Sequence, residues 1–510
     1  MLTELEKRVG KRPGQFVNDT NNNSRRTASH IPYELLEFVR RDTYSLLVKG
    51  YAGAGKTTLS LTILRTLKIK NNFFYISTRL SPKQLFNYYP WLGKYADIET
   101  NQDENPTTSS QRLGYNLSSF EDARLDEPES LFERITNQLM DVKAPIIIID
   151  SWDAIASFMD KEARLNNERV LQTWRERAGA KLIFISENPN DTTLDFLVDG
   201  IVELNQKLHD GMRLREISLT KLRGIRINKA SYIYTLNKGI FQSYNPYHPS
   251  DFMFSHLYSN NMNPTRKLRR ESTKHNPSQN QYINSGYEQL DEGLGGGFPR
   301  KGIVLIETQS NINSKVLLTL LAGIFSNILR NDNPILIEPF MGIDEKTIMS
   351  YIRPHLPSEH KKDLVRISHT DTNKDLPSNY TESEFQNLSN SQKQIQCFRD
   401  MIVKARRDYQ NKLLVNVMGM GMCSTIHQYR KEHGIDLMAF ISATADLTLI
   451  AVEQPHGTEL NLTEMADVQL HLSRICGTLV LHSVIPETVP FAIVTDRSSG
   501  YPAIRLESLV

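Results

Sequence analysis

Cysteine is scarce in this 510-residue chain: only Cys397, Cys423 and Cys476, all in the second half and without metal-type spacing. That excludes a disulfide framework and gives no zinc site. Long apolar runs are missing as well, and the N-terminal residues 1–8 lack a signal-peptide core. The expectation is therefore a protein with no membrane segment, working in a reducing cytoplasm. Charge of one sign is not in excess either. With 39% hydrophobic and 23% charged residues and a formal net charge of +2, the composition is that of an ordinary globular protein. At this length two or three domains are expected, each burying its own core.

What the chain does carry is a phosphate-binding loop. Gly50, Tyr51, Ala52, Gly53, Ala54, Gly55, Lys56 and Thr57 follow the G-x-x-x-x-G-K-[ST] spacing, and Thr58 completes the expected nucleotide-binding set. A short apolar strand over 44–48 leads into the loop. Leu59, Ile63, Leu64 and Leu67 then give one apolar helical face. A glycine-rich turn without chemistry would not need that strand before it and that helix after it. In this setting the glycines turn backbone N–H groups toward a polyphosphate at a helix N-terminus. Lys56 reaches the β- and γ-phosphates of ATP, and the Thr57 hydroxyl ligates Mg²⁺.

The metal needs an acidic partner as well. Ala144 and Pro145 open a run of four isoleucines that ends in Asp150. Continuous β-branched residues describe a strand buried on both faces, as at the centre of a parallel sheet. An aspartate at its C-terminal end would stand beside the loop and hold Mg²⁺ directly or through water.

The blocks that follow Asp150 resemble the RecA/KaiC class of P-loop ATPases. They are Ser151-Trp152-Asp153, a charged helix over 162–177, a strand over 181–187, the stretch 198–204, and Thr220-Lys221-Leu222-Arg223-Gly224. The resemblance implies that Lys221 and Arg223 contact nucleotide held by a neighbouring subunit, and hence a homo-oligomer. One departure concerns catalysis. The class carries a water-orienting glutamate after the second strand, but here the strand over 72–77 runs into Thr78, Arg79 and Leu80. Phosphoryl transfer depends on positioning the nucleophile as well as neutralising charge. ATP is therefore expected to bind and to be hydrolysed slowly, with Glu187 or Asp153 as the candidate substitutes for the missing acid.

The second half copies the first with the chemistry removed. Residues 283–299 resemble the opening segment of a KaiC domain, and a strand over 302–306 follows. Lys315, 259 residues after Lys56, is read as its counterpart, with Ile312 and Ser314 at the places of Gly53 and Gly55 and Val316 at that of Thr57. Asn416 is read as the nearest thing to the metal aspartate. Glu453 lies 266 residues after Glu187, and Asp467 and Leu472 lie 268 after Asp199 and Leu204. Nearly constant offsets argue for duplication. The expected architecture is α/β: two tandem RecA-like P-loop NTPase domains, each a mainly parallel sheet flanked by helices. The first spans 31–245 and the second, a pseudo-ATPase, 282–510.

Polar segments mark the joints: a tail over 1–30, a surface insertion over 101–120, and a linker over 246–281 containing the basic cluster Arg266-Lys267-Leu268-Arg269-Arg270. The cluster reads as a solvated run or as a site for nucleic acid or an acidic partner. The single intact loop, the stretch from Ser77 to Trp91 and the arginine-rich segments resemble the archaeal gas vesicle protein D (GvpD) type of regulator. That resemblance implies an ATP-binding repressor that acts through a protein partner, a transcription activator. Two alternatives are an active ATPase working on DNA as a ring or filament, and a KaiC-like kinase, against which the loss of the second site argues.

Overall fold

The computed structural model describes residues 30–70, 72–95, 118–124, 128–139, 142–249, 281–338, 343–353, 364–368, 381–419, 422, 424, 437–453, 462–496 and 503–510. All but His30 of the expected N-terminal tail over 1–30, the basic cluster at 266–270 and most of the insertion over 101–120 lie outside them. The last three residues of that insertion do not form a surface loop. They belong to an edge strand, whose phenylalanine packs into the first core.

The first domain is a nine-stranded sheet built from β1 (Tyr44–Gly50), β2 (Phe73–Ser77), β3 (Ser118–Asp122), β4 (Ile146–Asp150), β5 (Lys181–Ser186), β6 (Gly200–His209), β7 (Met212–Leu222), β8 (Ser231–Thr235) and β9 (Gln242–Ser243). Their order is β3-β2-β4-β5-β1-β6-β7-β8-β9. Pairing is parallel from β3 to β6 and antiparallel from β6 to β9. The four isoleucines of β4 are buried, as a strand covered on both faces requires.

A short antiparallel pair, β10 (Tyr282–Ile283) with β11 (Phe298–Pro299), opens the second domain. Its sheet is made of β12 (Gly302–Thr308), β13 (Ile335–Ile337), β14 (Val365–Ile367), β15 (Val415–Gly419), β16 (Leu447–Glu453), β17 (Val468–Ile475), β18 (Thr478–Ile485), β19 (Phe491–Asp496) and β20 (Ala503–Ser508). The order β14-β13-β15-β16-β12-β17-β18-β19-β20 repeats that of the first sheet strand for strand. Register repeats too: Tyr44 faces Lys181 as Gly302 faces Leu447, and Leu46 faces Gly200 as Val304 faces Val468. The expectation of two tandem RecA-like domains holds.

The antiparallel halves meet across the joint. Met212, Leu214, Ile233 and Tyr244 of the first domain share a buried cluster with Ile475, Val480, Ala492 and Leu509 of the second. No helix among the described residues is long and apolar enough to cross a membrane.

Candidate functional site

The loop between β1 and the helix Lys56–Thr66 turns through left-handed positions that favour glycine. Gly53 and Gly55 are left-handed, with φ of 76° and 92°. A Cβ on Gly55 would also stand 2.7 Å from the Leu236 side chain. From β7 and β8 the loop is held by its carbonyls: Tyr234 Oη donates to Ala54 O at 2.5 Å, and Arg215 Nη1 to Gly53 O at 2.9 Å.

Lys56 folds back over the loop, and its Nζ donates to Gly50 O at 2.7 Å and Tyr51 O at 3.0 Å. Burial lowers its pKa, while the carboxylates of Glu187, Asp150 and Asp153 oppose that shift and Arg79 adds to it. All four charges therefore converge on the ammonium. Thr57 Oγ1 donates to Asp150 Oδ2 at 2.6 Å, so the expected pair of magnesium ligands is already together at the end of β4. A hydroxyl and a carboxylate are hard oxygen donors, and Mg²⁺ takes one or two protein ligands with the rest from phosphates and water. Thr58 is buried, with its hydroxyl against Tyr89 Oη at 2.9 Å, so it faces the protein rather than the loop.

One tyrosine at the metal-binding end of the site escaped the sequence reading. Tyr75 Oη donates to Asp150 Oδ2 at 2.5 Å from inside β2, and burial beside that carboxylate raises its pKa well above the usual phenol value. The available signal was a phenol in the middle of an apolar strand, since a buried hydroxyl requires a partner.

The candidate acids are both engaged. Asp153 accepts from Ser186 Oγ at 3.1 Å, Glu187 N at 2.5 Å and Asn188 N at 3.4 Å, and so secures the end of β5. Glu187 is paired with Arg79, which with Leu80 follows β2 where a glutamate was expected from the resemblance. Lys221 and Arg223 lie away from the loop's Lys56. Lys221 Nζ donates to the carbonyls of Asp195 at 2.9 Å and Val198 at 2.7 Å, and Arg223 pairs with Asp199 at 3.0 Å while remaining 66% exposed.

The second domain corrects two readings. In the first loop Ala54 N donates to Tyr51 O; in the second Ile312 N donates to Gln309 O, and the helices begin at Lys56 and Ser314. From β1 and β12 through the turn to the helix start the spacing is constant at 258 residues, which pairs Lys56 with Ser314, and Lys315 with Thr57. Matching like residues hid this one-residue difference, so the second loop has no counterpart of the phosphate lysine. Likewise β15 pairs Val415 with Leu447 as β4 pairs Ile146 with Lys181, which puts Gly419, not Asn416, at the place of Asp150. Asn416 instead lies near the start of the strand, buried, and its amide meets no hydrogen-bond partner among the described residues.

Comparison with known proteins agrees with this geometry. Residues 36–220 match the family described as GvpD gas vesicle protein, P-loop domain. Over the whole length the chain is similar to Protein GvpD2 of Halobacterium salinarum, 22% identical over 94% of this chain and 97% of the relative, and to Protein GvpD1 of the same organism, 23% identical over the same shares. It is also similar to the circadian clock oscillator protein KaiC of Parathermosynechococcus lividus, 26% identical over 51% of this chain and 45% of KaiC. The chain thus carries a GvpD-type P-loop domain of the RecA/KaiC superfamily, as the resemblance implied.

Proposed function

We propose that this protein is an ATP-binding regulator whose first domain senses Mg²⁺–ATP and whose second domain is a pseudo-ATPase scaffold, acting on transcription through a protein partner. One observation carries the reading. The first site keeps glycine loop, Lys56, Thr57 and Asp150 in one cluster, whereas the equivalent places in the second hold Ser314, Lys315 and Gly419.

On nucleotide binding, Lys56 would exchange the carbonyls of Gly50 and Tyr51 for phosphate oxygens, and Thr57 with Asp150 would hold the metal, which supplies charge neutralisation between the phosphates. Hydrolysis is slow on this reading. No glutamate directly follows β2, and Asp153, one of the two candidate substitutes, is committed to the backbone after β5.

The test is a nucleotide titration with a turnover assay on wild type and Lys56→Ala, followed by partner capture with and without ATP. Micromolar ATP binding lost in Lys56→Ala is expected, with turnover well below the usual enzyme range of about 1–10³ per second. Turnover of about one per second or faster would end the regulator reading and favour an ATPase of the ring or filament kind.

A further inference from the structure

Arg79 and Glu187 form an ion pair that spans the mouth of the first site. The strand order makes this possible: β4, which ends in Asp150, runs between β2 and β5. Arg79 lies two residues past the end of β2, and Glu187 one residue past the end of β5. Their side chains therefore meet across the tip of the strand that carries the metal aspartate.

Both ends of the bridge are set by the backbone. Thr78 N donates to Asp150 O at 2.7 Å, and Ser151 N donates to Thr78 Oγ1 at 2.9 Å, so the chain leaving β2 is bound to the chain leaving β4. Glu187 N donates to Asp153 Oδ2 at 2.5 Å. The pair itself is open to solvent, with Arg79 56% and Glu187 25% exposed. An ion pair so exposed contributes little to stability and is readily exchanged. A guanidinium gains more from a phosphate, which it grips through two parallel N–H bonds. Arg79 also helps lower the pKa of Lys56, the residue expected to meet the β- and γ-phosphates, so its charge is felt at that end of the site.

From this geometry we infer that Arg79 is the residue that distinguishes a nucleoside triphosphate from a diphosphate, leaving Glu187 for the terminal phosphate when that group is present. The inference rests on the proposed ATP site. A diphosphate ends short of the bridge and leaves the pair closed. A triphosphate opens it and uncovers the Glu187 carboxylate beside Asp153, so the two nucleotide states present different charge at the same edge of the sheet.

The experiment measures dissociation constants of ATP and ADP, with Mg²⁺, for the full chain and its Arg79→Ala, Arg79→Lys, Glu187→Gln and Lys56→Ala variants, each checked for unchanged thermal unfolding. Wild type is expected to prefer ATP. Arg79→Ala should lose about tenfold in ATP affinity and less than about twofold for ADP, the size expected for one charge-assisted contact. Arg79→Lys should fall between, and Glu187→Gln, which releases the arginine beforehand, should tighten ATP by about threefold or more. Equal losses for ATP and ADP in Arg79→Ala, or weaker ATP binding in Glu187→Gln, would overturn the inference while leaving the site intact. Lys56→Ala binding ATP as wild type does would instead remove the ATP site on which it depends.

Discussion

Glu338, at the end of β13, is 3% exposed and receives hydrogen bonds from Gln394 Nε2 at 3.3 Å and Gly419 N at 3.4 Å. Burial outweighs these donors and pushes its carboxyl up to about 7, from an ordinary value of 4.5. The folded state therefore holds the proton more tightly than the unfolded chain does. Below the ordinary value both states are protonated; as pH rises to about 7 the favourable difference is lost, a change on the order of 3 kcal/mol. Glu338→Gln keeps an acceptor and removes the charge. Denaturant titrations should show it more stable than wild type at pH 8, by about 1–3 kcal/mol, with the difference fading toward pH 4.5. An equal difference at both pH values would show that packing, not ionisation, is responsible. Nothing in the apolar run Ile335-Leu336-Ile337 announces such a carboxyl, because the shift comes from neighbours far along the chain.

Among the elements, the central strands β1 and β12 share one device. Asp199, just before β6, accepts from Ser45 N at 3.2 Å and from Arg175 at 2.9 Å; Asp467, just before β17, accepts from Ile303 N at 2.8 Å. In return Asp199 N donates to Ser45 O and Asp467 N to Ile303 O, both at 2.9 Å. The offset of 268 residues seen between these aspartates thus reflects a structural bond kept in both copies, whereas the residues of the first loop are not repeated in the second. Asp467→Ala leaves the N–H of a buried residue unpaired, and thermal unfolding should report about 1–3 kcal/mol of destabilisation. Asp199→Ala also releases Arg175 and Arg223 and should lose more than Asp467→Ala; a smaller loss would contradict this account.

In the whole molecule the two domains are coupled behind the nucleotide loop. Arg215, whose Nη1 holds Gly53 O, donates through Nε to Val510 O at 3.2 Å, and Thr235 Oγ1 donates to Ser508 O at 3.0 Å. The same β-strands bury Leu214 and Ile233 against Val480 and Leu509. Unfolding followed by calorimetry should therefore couple the domains, with ATP at about 100 times its dissociation constant adding about 2.7 kcal/mol to the state that binds it. Leu214→Asp places a charge in this cluster and should split unfolding into separate steps and weaken ATP binding. A single unchanged transition would show that the joint is not energetically important.

The amino-acid sequence by itself determined the phosphate loop, the place of Asp150 at the end of β4 and the duplication. The loop and the aspartate are contiguous: glycines, Lys56 and Thr57 act as neighbours along one turn, and four isoleucines can only lead Asp150 out of a buried strand. Tertiary structure alone decided that Arg79 faces Glu187 across Asp150, that Tyr75 reaches the same carboxylate, that Arg215 ties the loop to Val510, and that Ser314 rather than Lys315 stands at the place of Lys56. Each of these depends on which strands lie side by side and in what register. Strand order is a non-local property, and a shift of one residue within a loop leaves composition and periodicity almost unchanged.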